Sequence, residues 1–231
     1  MRCTSRHRIA NLLFVDQPVG TGLSFTDNAR RGLARSDDEV AEHFYIFLMN
    51  FLELHSRFVH VKGGKRVSRG IVFAGESHAG HYIPSIIELI LRRNAEARGK
   101  QIVVTIKGAA LGNPWIDPYS QYDVSDFSLG AGLISFSQLN TLKEKEAQCH
   151  ALLLLKRFNE RVCTSLLDDV VDATSSAAAG HRKILPYDAR KFEDPAQRFP
   201  PGHERVEEYM NRPDVSTLPS SLLCVRFGLI S

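Results

Sequence analysis

The stretch Arg69-Gly-Ile-Val-Phe-Ala-Gly-Glu-Ser-His-Ala-Gly-His-Tyr-Ile-Pro84 decides how this chain is read. Ile71, Val72 and Phe73 form a short apolar run of the kind that makes a buried strand. Gly75-Glu76-Ser77-His78-Ala79-Gly80 then reverses the backbone. Beyond it, Ile83, Ile86, Ile87, Ile90 and Leu91 recur at helical spacing, with Arg92, Arg93 and Glu96 on the far side. Strand, tight turn and helix together put the Ser77 hydroxyl at the tip of the reversal, the arrangement known as a nucleophile elbow. The usual spelling is Gly-x-Ser-x-Gly. Here alanine holds the last position and glycine follows one place late. Alanine is the next smallest residue for a point where helix and strand crowd together.

Working outward, the 231 residues suit one domain or one and a half. A hydrophobic content of 43% with 24% charged residues gives enough apolar mass for a core. The net charge of +3 is small, and basic residues cluster only at Arg2 to Arg8 and Arg30-Arg31, so nothing demands nucleic acid. No apolar run reaches the length of a membrane span. Met1 to Arg8 is basic and polar, with no hydrophobic signal core behind it. Cys3, Cys149, Cys163 and Cys224 lack metal-ligand spacing, and no metal site or cofactor is expected. Cys149 and Cys163 flank a helical stretch and could pair locally. For Cys3 and Cys224, free thiols and disulfides both stay open. His43, His55, His60, His150 and His181 read as surface or helix-face residues.

In chain order, Ile9 to Val15 is expected to be a strand, followed by the Gly/Pro loop Asp16 to Phe25. Ser36-Asp-Asp-Glu39 is a capping box with acidic residues in the first turn. Its helix runs to about His55 and carries the stripe Val40, Phe44, Phe47, Leu48 and Phe51. Gly63-Gly64 reads as a turn. Ile102 to Leu111 is the next expected strand, ending in Gly112-Asn-Pro-Trp-Ile-Asp-Pro118. Strand, helix, strand gives parallel neighbours joined by a right-handed crossover. Sites in such sheets lie at the carboxyl ends of the strands, which points Ser77 and Trp115 at one crevice. Beyond Gly130 the pattern turns helical, over Ser137 to Phe158 and Val162 to Ala173, before the small-residue linker Thr174 to Gly180 and an apolar tail from Leu222. The expected class is α/β: central parallel strands with flanking helices over residues 1–130, then a helical insertion and tail over 131–231.

Several stretches together resemble the serine carboxypeptidases, an α/β-hydrolase family. They are Asn11-Leu-Leu-Phe-Val-Asp-Gln-Pro-Val-Gly-Thr-Gly-Leu-Ser-Phe25, Gly75-Glu-Ser-His-Ala-Gly-His-Tyr-Ile-Pro84 and Gly108 to Pro118. Tyr187-Asp-Ala-Arg190 and Tyr209-Met-Asn-Arg-Pro-Asp-Val215 resemble the Kex-type branch, which trims basic residues from peptide C-termini. The resemblance implies that Ser77 is the nucleophile that forms an acyl-enzyme. It makes the backbone N–H of His78 an oxyanion donor. It makes Glu76 the partner of the substrate's free carboxylate, which implies activity at acidic pH because two adjacent carboxylates must share a proton. His78, Trp115 and Tyr122 match positions lining the pocket before the scissile bond, with loop packing the alternative for Trp115 and Tyr122. The family usually has tyrosine where His78 stands, and glycine where Pro114 stands.

The resemblance further implies peptide C-termini as partners, no cofactor, and a secretory, vacuolar or lysosomal, or extracellular location. In this family the triad acid and histidine lie well downstream of the serine, and an Asn-Gly-Gly-Pro-Gly segment lies upstream of the first matching strand. Neither occurs in this chain, so an incomplete peptidase is expected. An acyltransferase of the same family and a non-catalytic chain are the alternatives. Asp188 and His203 offer an improvised Ser-Asp-His order with Ser77, and His81 reads as a structural position facing away from the crevice.

Overall fold

The computed structural model describes residues 10–28, 32–61, 66–175, 181–192 and 202–216. Outside these lie Arg2 to Arg8, Cys3, Arg30-Arg31, the Gly63-Gly64 turn, most of the Thr174 to Gly180 linker, Cys224 and the tail. The described residues form two compact units, one reaching Ile116 and the other starting at Asp117. The architecture is mixed α/β, as expected.

The first unit is built from two helices and one parallel strand pair. Helix α1 (Asp37–Leu54) starts where Ser36 Oγ accepts the Glu39 N–H at 3.2 Å. Glu39 reaches one residue further back than a capping box predicts and takes the Arg35 N–H at 2.7 Å. A 3₁₀ turn (Ser56–Phe58) leads to a short antiparallel pair, β1 (Val59–His60) and β2 (Arg66–Val67). Then come β3 (Ile71–Glu76), α2 (Ala79–Glu96) and β4 (Ile106–Gly112), with β3 and β4 parallel. Phe73 faces Ala109 and Glu76 faces Gly112 across the pair. The core joins Phe44, Phe47 and Leu48 of α1 to Ile83, Ile86, Leu89 and Ile90 of α2, with Phe73 from the sheet. Each such side chain contributes about 1.5–3 kcal/mol on burial. On the opposite side of β3, Val72 is 60% exposed.

Three expectations change. Residues 10–15 form no strand, and Leu12, Leu13 and Phe14 stay exposed. A strand exists only through its ladder, and no described strand pairs with this segment. The strand expected from Ile102 starts at Ile106 instead. Before it, Val103 bridges Arg66, and the Asn94 side chain bonds both the N–H and the C=O of Val104 at 2.9 and 2.7 Å. Those long-range partners take the groups a ladder would use. Finally, Leu91 of the predicted stripe is 55% exposed while Leu89 is buried, because the buried arc of α2 is centred nearer Ile86 and Ile90.

The second unit is mainly helical: α3 (Pro118–Gln121), α4 (Ser125–Gly130), α5 (Phe136–Leu154), α6 (Arg161–Thr164) and α7 (Leu166–Ala173). The hairpin β5 (Ile184–Leu185) with β6 (Asp188–Phe192) and the helices α8 (His203–Met210) and α9 (Pro213–Ser216) follow. Cys149 on α5 and Cys163 on α6 form a fully buried disulfide, the local pairing the spacing allowed. Glu146 is buried as well. Its carboxylate accepts the N–H groups of Val124 and Ser125 at 2.7 and 2.6 Å and the Ser125 hydroxyl at 2.6 Å, satisfying the donors at the start of α4.

Candidate active site

Ser77 sits between β3 and α2 with φ 57°, in the left-handed region that L-residues avoid. Three backbone bonds hold it there. Its N–H donates to Gly112 O at 3.0 Å, and its C=O accepts from Trp115 N–H at 2.9 Å and Gly80 N–H at 3.0 Å. The turn is thus stapled to the carboxyl end of β4 from both sides. Its residue choices follow from close approach. A Cβ at Gly75 would lie 2.5 Å from the Ala79 Cβ, and one at Gly80 would lie 2.5 Å from Trp115 O and 2.9 Å from the Pro114 Cβ. Small residues at 75, 79 and 80 let strand, helix and loop meet, and the late glycine is the one the loop after β4 requires.

The Ser77 side chain is exposed, and no described group hydrogen-bonds its hydroxyl. The His78 N–H has no backbone acceptor among the described residues. Glu76 ends β3, exposed and without an ion pair among them. The His78 ring stacks on His81 at 4.8 Å, nearly parallel, and both rings meet Trp115 edge-on at 6.2 and 6.3 Å. Trp115 is 39% exposed. Tyr122 lies in the second unit, 8% exposed in the core with Ile134 and Leu142. The loop Asp16 to Phe25 folds on its own carboxylate: Asp16 accepts the Leu23 N–H at 2.7 Å, and the Ser24 hydroxyl donates to Asp16 O at 2.8 Å. Gly22, at φ 54°, has no room for a Cβ beside that carboxylate.

Asp37 is the neighbour that local reading missed. In the first turn of α1, it pairs with His81 Nδ1 at 3.2 Å. Burial, with the Asp37 charge adding to it, raises the Tyr82 hydroxyl above its usual value. The only sequence signal for the contact is an acid in a capping box and a histidine one turn into the next helix, 44 residues apart.

A family model described as serine carboxypeptidase matches residues 2–218. The chain is 34% identical over 212 residues to the pheromone-processing carboxypeptidase KEX1 of Phytophthora infestans, covering 91% of this chain and 35% of that protein. It is 31% identical over 216 residues to serine carboxypeptidase S10 family member 2 of Dictyostelium discoideum, covering 91% and 36%. It therefore spans about a third of the length of the curated relatives it matches. The crystal structure of KEX1(delta)p, a prohormone-processing carboxypeptidase from Saccharomyces cerevisiae, superposes with a TM-score of 0.72 at 24% identity, over 89% of this chain and 46% of that one. That likeness, together with the parallel β3–α2–β4 unit, makes the fold a partial α/β-hydrolase. No described helix is long and apolar enough to cross a membrane. The chain belongs to the serine carboxypeptidase family, on its KEX1-like branch.

Proposed function

We propose that Ser77 is the acyl carrier of a serine-type carboxypeptidase that releases C-terminal residues from peptides. The observation that carries this reading is the backbone of Ser77: left-handed, fixed by three hydrogen bonds, with its hydroxyl exposed at the head of a helix. In the proposed reaction the Ser77 oxygen attacks the last peptide carbonyl, and the His78 N–H donates to the oxygen that becomes negative. Glu76 shares a proton with the substrate's terminal carboxylate, so release is favoured at acidic pH and the protein would work in an acidic secretory or vacuolar compartment. Trp115 and the His78 ring line the pocket for the residue before the scissile bond, whereas Tyr122 packs in the core of the second unit.

A serine hydroxyl needs a base, and removing the histidine of such a site costs on the order of 10⁶-fold in kcat. No described imidazole bonds the Ser77 hydroxyl. The proposal is therefore that this chain by itself leaves peptides intact and that its base and acid come from further sequence. The test is an active-serine phosphonate applied to the full gene product, with the adduct located by mass spectrometry. An adduct on Ser77, and loss of C-terminal release in Ser77→Ala, support the assignment. An adduct elsewhere, or release unchanged in Ser77→Ala, overturns it. Peptide release by the 231-residue chain alone would overturn the statement about its base.

A further inference from the structure

We propose that Asp37, His78 and His81 form a binding site for a divalent first-row transition metal beside Ser77. Each offers one ligand atom, and these atoms lie within 4.8 Å of one another. They come from two elements that the core already fixes: Asp37 from the first turn of α1, and the histidines from the entry to α2. Two imidazoles and a carboxylate select zinc, copper, nickel or iron over magnesium or calcium, which favour all-oxygen shells.

The geometry needs only side-chain torsion. Imidazole nitrogens bind zinc at about 2.0–2.1 Å, which sets donors of a tetrahedral ion about 3.4 Å apart. The two rings lie 11° from parallel with their centroids 4.8 Å apart. Rotation about χ2, a broad torsion for histidine, is the motion that would draw ligand atoms now within 4.8 Å to the spacing an ion needs. Asp37 either completes the set directly or holds His81 through Nδ1 at 3.2 Å while Nε2 binds, the usual carboxylate–histidine–metal relay. Trp115, edge-on to both rings, limits how far they can swing. One carboxylate leaves the metal-bound site net positive, and both helices present their positive ends, which weakens cation binding. The fourth position stays open to water or to a ligand approaching Ser77. This proposal does not depend on peptidase activity.

The test is zinc titrated calorimetrically into the 231-residue chain at neutral pH, paired with copper(II) quenching of Trp115, the sole tryptophan. Zinc binding and saturable quenching are expected in the unaltered chain. Both weaken roughly tenfold or more in His78→Phe, which keeps the ring stack, and in His81→Gln, which keeps a donor for Asp37. Asp37→Asn weakens them in the same direction. Absence of zinc binding, non-saturable quenching, or isotherms unchanged in all three variants overturns the site. A variant that fails to fold leaves the quenching of the unaltered chain to decide: saturation there, reversed by excess zinc, supports the site, and indifference to zinc sinks it.

Discussion

Replacing Ser77 by glycine should stabilise the first unit while destroying the proposed nucleophile. The left-handed conformation at φ 57° costs an L-residue roughly 1–2 kcal/mol, and glycine avoids that cost. Glycine in turn loses about 0.5–1 kcal/mol more chain entropy on folding. The serine hydroxyl bonds no described group, so its removal adds little. The difference is a gain of roughly 0.5–1 kcal/mol. In a unit of this size that raises the thermal midpoint by about 2–8 °C. Ser77→Ala is the reference: it loses the same hydroxyl, keeps the Cβ, and should fall at or slightly below the unaltered chain. The assay is urea unfolding followed by Trp115 fluorescence, which reports this unit specifically because Trp115 lies in it and its N–H bonds Ser77 O. If Ser77→Gly proves no more stable than Ser77→Ala, the turn is not strained, and the physical case for an elbow fails with it.

Gly80→Ala should cost about 1–3 kcal/mol, since the new methyl group meets the Trp115 carbonyl and the Pro114 ring, and backbone cannot step aside cheaply. The same fluorescence transition measures this, and an unchanged midpoint would mean the loop does not press on the helix. In the second unit, Cys149→Ser should lower stability by about 3 kcal/mol, the closure entropy of a loop joining residues 14 apart. Far-ultraviolet circular dichroism with and without reductant checks it. A midpoint that ignores both reductant and substitution refutes the estimate.

Local chemistry was legible in the sequence, and partnership was not. The elbow could be read because strand, turn and helix follow one another within sixteen positions and each declares itself by spacing. The Ser36 cap was visible for the same reason, although the choice of Arg35 N–H as the acceptor's partner for Glu39 was not. The segment 10–15 has strand-forming residues but no neighbour, and β propensity reports side-chain fit rather than a ladder. The ends of Val104 go to Asn94, a polar residue on a helix face that pattern reading assigns to solvent. In the candidate site, Ser77, Glu76, His78 and Trp115 come from one chain-local reversal and the loop stapled to it. Asp37 enters from a different helix, so no spacing rule could have placed it against His81. Tyr122 was expected from family position, and burial in the second core is a property of its tertiary neighbours.

The parallel pair that carries Ser77 also has a chemical temperament of its own. Two strands have two outer margins, and among the described residues nothing saturates the amide groups there, while Val72 stands bare on one side. Such margins are templates for any extended peptide that drifts by, including another copy of the same molecule. The expected outcome for the isolated chain is self-association that rises with concentration, checked by light scattering; scattering that stays monomeric as the concentration is raised would show that these margins are covered.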